Sequence, residues 1–184
     1  ETRLQYNADG KLVGRIDPEG SETRYEYDPE GRLTAAIDGN GNTITLVYDE
    51  FGSGCSTCGS AGDQPSQIFY PTFYKEFEYD RLGRKIVERD VLSETESYVT
   101  RFEYDAAGRR TAQIDKNGHT TRYLYDGLGR LQTVIDALNG ETRYTYDDRD
   151  NLVSLTDAEN QTTAFEYDRN SRLAPLSQRQ VESV

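Results

Sequence analysis

The sequence has no tryptophan and no methionine, a single histidine and two cysteines, and only 34% of its 184 residues are apolar. No apolar run approaches the ~20 residues of a membrane-spanning helix, so a span in this segment is excluded. Fourteen tyrosines and six phenylalanines are nevertheless present, whereas disordered chains are poor in such residues. The composition therefore indicates many small aromatic stripes, which bury well when neighbouring units stack.

Basic residues are outnumbered, with 21 lysines and arginines against 33 aspartates and glutamates and a net charge of −12. A nucleic-acid partner requires a basic stripe that neutralises phosphates, and here acidic residues interleave with the arginines. We therefore expect no nucleic-acid partner and no binding to anionic membrane surfaces. The chain begins at Glu1 with neither a start methionine nor a signal peptide, so we expect a piece of a longer protein.

A tyrosine followed by aspartate or asparagine recurs along the chain. Five of the seven intervals between these pairs are 21 residues, and the other two are 31 and 25 residues. Such regularity predicts a tandem repeat. The pairs are Tyr6-Asn7, Tyr27-Asp28, Tyr48-Asp49, Tyr79-Asp80, Tyr104-Asp105, Tyr125-Asp126, Tyr146-Asp147 and Tyr167-Asp168.

Each unit contains two strand-like segments separated by turn residues. Thr23, Tyr25 and Tyr27 alternate with polar residues, the period of two that places alternate side chains on one face. The position two before each repeat tyrosine is always large and apolar, so we expect a face of stacked rings. In the other strand, Leu33, Ala35 and Ile37 are expected to share a face, as are Leu131, Thr133 and Ile135, with Val134, Val153 and Leu155 on the opposite side. Aspartate and glycine between the segments supply turn chemistry, which predicts an all-β array of antiparallel hairpins.

The two irregular intervals fit this frame as insertions at hairpin ends. Alignment on Tyr79 places Ile68 at the position of Ile37 and Phe69 at the position of an aspartate. It also places ten extra residues at 52–61, and the four extra residues of the next interval fall within 91–97. Loops at hairpin ends tolerate such changes of length. We expect the repeat array to cover residues 1–173 and an irregular tail to cover 174–184.

One whole unit, from Tyr104-Asp105-Ala106-Ala107-Gly108-Arg109 to Tyr125-Asp126, carries a resemblance that extends over nearly the full chain. It resembles the YD or RHS repeat family of bacterial RHS proteins, toxin-complex subunits and teneurin-like repeats. The resemblance implies a curved or spiralling sheet that forms part of a hollow shell. In toxin relatives the shell encloses an effector, cell-surface relatives serve adhesion, and carbohydrate binding is associated with the repeats. Asp150-Asn151 and Ser171-Arg172 depart from the usual Gly-Arg, and neither a self-cleaving terminus nor a payload is recognisable.

Cys55 and Cys58 form a Cys-x-x-Cys pair in the ten-residue insertion. A structural metal site usually has four ligands, and a second such pair is missing, so a local disulfide or two free thiols are predicted ahead of a zinc site. His119 directly follows the turn pair Asn117-Gly118 and is interpreted as an exposed turn residue. The recurrent aspartates are interpreted as turn formers rather than as acid–base pairs or calcium ligands. No cofactor is expected.

Two side-chain groups are candidates for contacts with other units or molecules. The basic residues Arg32, Arg84, Arg109 and Arg130 are expected to form ladders with tyrosine or aspartate of adjacent hairpins. Phe69, Tyr70, Phe73 and Tyr74 form the most aromatic stretch. This stretch is a candidate binding patch for carbohydrate, and the alternative is that it packs against the cysteine-containing loop.

The favoured function is a non-enzymatic structural segment of the wall of a large secreted or cell-surface protein, since no nucleophile, base and oxyanion grouping is visible. Its expected partners are flanking repeats of the same protein or further copies of the chain. One alternative is an adhesion module that binds carbohydrate or protein. Another is a self-assembling extracellular filament whose edge strand is capped by the next copy.

Overall fold

A computed structural model describes residues 1–48 and 63–173, and it confirms the expected all-β fold of antiparallel hairpins. Asp49, Cys55 and Cys58 lie outside the described residues, as do the insertion 52–61 and the tail 174–184. The disulfide or metal role of the two cysteines therefore stays a prediction.

The chain divides into two units, residues 1–102 and residues 103–184. In each unit every strand pairs with the next along the chain in antiparallel register. The first unit contains β1 Arg3–Tyr6, β2 Leu12–Ile16, β3 Glu22–Tyr27, β4 Leu33–Ile37, β5 Thr43–Val47, β6 Gln67–Phe69, β7 Tyr74–Tyr79, β8 Lys85–Val91 and most of β9 Ser97–Tyr104. The second contains β10 Arg110–Ile114, β11 Thr120–Tyr125, β12 Leu131–Ile135, β13 Glu141–Tyr146, β14 Leu152–Thr156 and β15 Thr162–Ala164.

A β-bulge follows the Tyr-Asp turn in five hairpins. In the hairpin of β3 and β4, Tyr27 pairs with Leu33 but Glu26 pairs with Ala35, so Thr34 is the additional residue. Such a bulge changes the phase of the strand. Residues on the two sides of the bulge therefore do not follow a simple period of two.

The bulge corrects the expected assignment of residues to faces. We call the side that carries Tyr25 and its equivalents the ring face, and the opposite side the polar face. Directly paired residues of antiparallel strands share a face, so Leu33 lies on the ring face with Tyr27. Ala35 and Ile37 lie on the polar face. The prediction that Leu33, Ala35 and Ile37 share one face is wrong, and so is that for Leu131, Thr133 and Ile135, which follow the same register.

In the hairpins from β11 to β14, the rings of successive repeats are not stacked on one another, contrary to the prediction. Tyr123 on β11 pairs with Val134 on β12, and Tyr144 lies on β13 beyond it. Two strand spacings are about 9–10 Å, which is too far for ring stacking. An aliphatic residue, Val134, therefore lies on the strand between the rings of Tyr123 and Tyr144.

Few of the described residues are buried in either unit. Ala35, Ala112 and Thr133 are buried on the polar face, at the position eight residues after each repeat tyrosine. Their small size fits this position, because longer side chains flank it on the paired strands, as Glu26 and Thr45 flank Ala35. Among the described residues, no side chain has less than 2% exposure.

The aromatic stretch has a different register from the one expected. Phe69 pairs with Tyr74 and with Thr45, so it occupies the strand position of Ile37 and does not replace a turn aspartate. The turn that follows is shortened to residues 70–73, where the Tyr70 N–H donates to the Phe73 carbonyl at 2.9 Å. This turn is one residue shorter than its equivalent, residues 38–42, so the alignment on Tyr79 placed Phe69 one position too far along the repeat.

The four extra residues of the second insertion lengthen two strands rather than the turn. β8 extends to Val91 and β9 begins at Ser97, with Val91 and Ser97 paired. The turn between them, residues 92–96, is closed by a hydrogen bond from the Leu92 N–H to the Glu96 carbonyl at 2.9 Å. This hairpin therefore carries two additional residues in each strand.

Candidate functional site

In the Tyr-Asp turns that the structure describes, the aspartate organises the turn that follows it. The Asp126 Oδ1 accepts hydrogen bonds from the backbone N–H groups of Leu128 and Arg130, both at 2.9 Å, and its Oδ2 accepts one from the Arg130 Nε at 2.7 Å. Gly129 has a φ of +86°, a conformation that glycine adopts without steric cost. Aspartate and glycine therefore recur because the turn geometry requires them.

The second turn uses the same arrangement in the repeats that keep an aspartate there, which excludes the turns 70–73 and 92–96. The Asp115 Oδ1 accepts from the N–H groups of Asn117 and His119 at 2.8 and 2.9 Å, and the His119 Nδ1 lies 3.3 Å from the Asp115 Oδ2. His119 thus occupies the place of the arginine in the Tyr-Asp turn. Its environment is that of a turn residue.

Units that depart from the Gly-Arg pattern keep the turn. Asp150 adopts a φ of +64° in place of glycine, and Ser171 adopts +57°. The Asn151 Nδ2 donates to the Asp147 Oδ2 at 2.8 Å, which substitutes for the arginine. The departures seen in the sequence are therefore accommodated without loss of the hairpin.

These contacts lower the pKa of the turn carboxyl groups. The backbone N–H of Arg130, followed by its guanidinium, holds the pKa of Asp126 below its ordinary value. The backbone N–H groups of Arg84 and Arg109 lower the pKa of Asp80 and Asp105 in the same way, although partial desolvation opposes the shift. The carboxylates are thus stabilised in their charged form.

A lowered folded-state pKa predicts loss of stability in acid. Such a carboxylate stabilises the fold above its unfolded pKa of about 4, and the contribution disappears as the pH falls through the folded value. We expect stability, measured by urea unfolding, to be flat near neutrality and to fall below about pH 4. The Asp105→Asn and Asp126→Asn double variant should show a shallower fall, and the exposed Asp148→Asn control should follow the wild type. An equally steep fall in the double variant would contradict this origin.

The tyrosine of the Tyr-Asp pair donates a hydrogen bond to the backbone of the preceding repeat. The Tyr146 hydroxyl donates to the Leu131 carbonyl at 2.8 Å, and Tyr27, Tyr48 and Tyr125 donate to the residue 15 positions earlier at the same distance. That residue begins the strand that carries the bulge. The backbone pairing of β12 with β13 ends at Thr133 and Arg143. The Tyr146 hydroxyl therefore provides a hydrogen-bond donor for the Leu131 carbonyl, two residues beyond the last pair.

The basic residue after the turn glycine connects one unit to the next, as expected from the sequence. The Arg130 guanidinium lies 4.8 Å from the centre of the Tyr146 ring, and its Nη1 lies 2.7 Å from the Asp150 Oδ1. Arg32 over Tyr48 at 4.5 Å and Arg109 over Tyr125 at 4.8 Å repeat this contact. Within its own turn each arginine also pairs with the aspartate. We call this chain of aspartate, arginine and next-unit tyrosine the rim ladder.

The four residues of the candidate binding patch lie together at the turn between β6 and β7, which is at the other end of the strands from the Tyr-Asp turns. The rings of Tyr70 and Phe73 stack at 4.6 Å with an interplanar angle of 9°, and those of Phe69 and Tyr74 stack at 5.2 Å with an angle of 24°. Phe69 is 38% exposed. The patch therefore consists of two pairs of stacked aromatic rings.

One polar cluster escaped the sequence interpretation. The Lys75 Nζ lies 2.6 Å from the Glu88 Oε1 and 2.8 Å from the Asp90 Oδ1 on the ring face. Partial burial opposes its charged form, but hydrogen bonds from Lys75 to Asp90 and Glu88 outweigh it and raise the pKa of Lys75 to about 12. The sequence did contain a sign of this cluster, because Lys75 stands four residues before the repeat tyrosine, where other repeats have threonine or isoleucine, such as Thr23 and Ile44.

In residues 1–48 and 63–173, no cluster of three or more histidine, cysteine, aspartate or glutamate side chains is suited to hold a metal ion. The same residues contain no helix that is long and apolar enough to cross a membrane.

Comparison with solved structures identifies the fold. The chain superposes on a crystal structure of TcdB2-TccC3 without its hypervariable C-terminal region with a TM-score of 0.72 and 15% identity, over 94% of this chain and 10% of that chain. A second TcdB2-TccC3 crystal structure gives a TM-score of 0.71 and 16% identity over the same shares. The chain thus spans about a tenth of the length of these chains. A search of curated protein sequences gave no match.

The Tyr-Asp units also match a family model at the level of sequence. The RHS repeat model matches five segments, at 6–43 and at the successively overlapping 79–120, 104–141, 125–162 and 146–179. These segments coincide with the hairpins in which the turn aspartate, the bulge and the rim ladder recur, and together they cover well over half of the residues. This protein belongs to the RHS repeat family.

Proposed function

We propose that this chain is a non-enzymatic segment of the wall of a larger secreted or cell-surface RHS-type protein. The rim ladder carries the proposal. Its aspartates, arginines and tyrosines form hydrogen bonds and ring contacts within their own hairpin or with the next one. Residues used in this way hold a repeated sheet together and are not arranged for chemistry on a substrate.

The edge strand β1 is chemically suited to pair with a further strand. All four residues of β1 are exposed, and Tyr6, the first repeat tyrosine, is 58% exposed. Its equivalent Tyr79 is 8% exposed, with a unit before it. A sheet edge presents unpaired N–H and C=O groups that another strand satisfies. A preceding repeat would pair with β1 and cover Tyr6.

Hydrogen exchange tests the wall role directly. In the proposed longer protein, the outward amides of β1 should exchange more slowly than in the 184-residue chain, because a neighbouring strand accepts their hydrogen bonds. The amides of β12, which is paired on both sides here, serve as the internal control and should change little. Equal exchange of β1 in both proteins would contradict the proposal. Recovery of the longer protein only from the cytoplasm would contradict secretion.

A second function, recognition of a carbohydrate or protein partner, is favoured by the grooves beside the aromatic patch. One groove, with a volume of about 320 Å³, is lined by Phe69, Tyr70, Phe73 and Tyr74 together with residues of the turn 92–96. Replacement of Tyr70 and Tyr74 by alanine should abolish binding on glycan and peptide arrays, while circular dichroism reports whether the fold persists. Binding that survives in a folded double variant would reject the patch.

A further inference from the structure

Two neighbouring turns of residues 1–102 are flanked by grooves. The turn 70–73 and the turn 92–96 project from the same end of adjacent hairpins, and a groove lies on each side of them. The first groove, of about 320 Å³, includes Tyr74 and Val91, and the second, of about 580 Å³, includes Asp90 and Tyr98. Phe73 and Leu92 line both grooves. A segment that contacts these turn tips therefore meets both grooves.

The two length changes in this part of the chain create the surface. The extension of β8 and β9 adds the pairs of Val91 with Ser97 and of Asp90 with Tyr98. Tyr74 pairs with Val91 on the polar face, and Asp90 and Tyr98 lie on the ring face. The grooves thus face opposite sides of the sheet and differ in chemistry.

The grooves carry an excess of negative charge. Asp90 and Glu96 line one groove and Glu94 lines the other, and no lysine or arginine is among the described residues that line either. Lys75 contacts Asp90 and Glu88, and Lys85 also contacts Glu88, so two lysines balance these two carboxylates and the excess of negative charge lies on Glu94 and Glu96. The Tyr98 hydroxyl donates to the Glu96 Oε1 at 2.6 Å and thereby orients this carboxylate.

The repeats themselves show what such a combination of rings and carboxylates accommodates. Arg130 lies over the Tyr146 ring while it contacts the carboxylates of Asp126 and Asp150. A cation over an aromatic ring is attracted by the ring quadrupole, and a nearby carboxylate adds Coulomb attraction. The groove that contains Phe73, Asp90 and Glu96 presents the same chemical groups to an incoming cation.

We propose that these turn tips bind a partner protein through a basic segment in which an arginine or lysine adjoins an apolar residue. The cationic side chain lies against Phe73 and beside Glu96, and the apolar side chain enters the groove of Phe69 and Tyr74. This inference rests on the second proposed function and names the partner class. A neutral sugar would stack on a ring but would gain no Coulomb attraction from the carboxylates, so charge complementarity favours the basic segment.

The test uses the 184-residue chain and two fluorescein-labelled heptapeptides. One carries two arginines on either side of a phenylalanine, and the other has glutamates in place of the arginines. Fluorescence anisotropy should detect binding of the basic peptide alone, and 0.5 M NaCl should weaken that binding because exposed charges are screened. Glu94→Gln with Glu96→Gln should weaken it about tenfold. The control pair Glu19→Gln with Glu159→Gln, in exposed turns elsewhere, should leave it unchanged.

A ring-specific variant separates recognition from folding. Phe73→Leu retains an apolar side chain in the turn but removes the aromatic face, so it should weaken binding while circular dichroism stays unchanged. Equal binding of both peptides, or an undiminished affinity in the Glu94 and Glu96 variant, would overturn the proposal. Binding of a neutral glycan but of neither peptide would uphold recognition at the turns and reject the basic segment. Binding of no peptide and no glycan would reject both.

Discussion

Replacement of Tyr79 by alanine is expected to destabilise the first unit by about 3–5 kcal/mol, the range for removal of a buried aromatic ring. Tyr79 is only 8% exposed, and its hydroxyl donates to the Pro65 carbonyl at 2.9 Å. Burial, together with the charge of Glu88, raises the pKa of Tyr79 to about 12. Tyr79→Phe should cost about 1–3 kcal/mol, because it leaves the Pro65 carbonyl without this donor.

The matched control is Tyr6, which occupies the same position of the repeat but is 58% exposed. Tyr6→Ala should change stability by less than about 1 kcal/mol, as is typical of surface substitutions. Urea unfolding followed by circular dichroism measures all three variants. If the Tyr6 and Tyr79 alanine variants lost equal stability, burial against a preceding hairpin would not be the source of the tyrosine's contribution.

Replacement of Gly31 by alanine is expected to be the second most damaging of these changes. Gly31 has a φ of +83°, a conformation that costs an L-residue about 1–2 kcal/mol. Its carbonyl also accepts a hydrogen bond from the Lys11 Nζ of the preceding unit at 2.6 Å. An alanine Cβ would lie 2.8 Å from the Lys11 Cε and closer still to the Nζ, so this contact would be lost at a further cost of about 0.5–1.5 kcal/mol.

Gly41 isolates the backbone part of this effect. It has nearly the same φ, +84°, but nothing lies within 4 Å of a Cβ built there. Gly41→Ala should therefore cost only the conformational part, and Gly31→Ala should match it once Lys11→Met has removed the donor. Thermal unfolding of the single and double variants measures the difference. Equal losses from Gly31→Ala and Gly41→Ala in the wild-type background would show that Lys11 does not couple the two units.

Both expected results concern coupling between neighbouring hairpins. In a repeat array, stability is approximately the sum of unit stabilities and nearest-neighbour terms. Tyr79 and Lys11 each reach from one hairpin to a backbone carbonyl of its neighbour. Substitutions of such residues should therefore weaken the array beyond the unit that carries them, whereas substitutions confined to one turn should act locally.

The repeat sequence determined the hairpin frame. The alternation of Thr23, Tyr25 and Tyr27 and the recurrent Asp and Gly correctly predicted antiparallel strands and their turns. The prediction succeeded because these signals are local: a period of two requires a strand, and a carboxylate four residues before a bonded N–H requires a turn. The recurrence of a basic residue after the turn glycine likewise predicted a ladder with adjacent hairpins, which the contact of Arg109 with Tyr125 shows.

The tertiary structure decided which residues share a face and what the tyrosine hydroxyl does. The bulge at Thr34 moves Leu33 to the face opposite Ala35, and a strand of alternating residues gives no sign of such an added residue. The register of Phe69 and the cluster around Lys75 likewise depend on strands that are distant in sequence. Periodicity in a sequence reports contacts along one strand, whereas bulges, register and grooves between turns arise from the pairing of strands with one another.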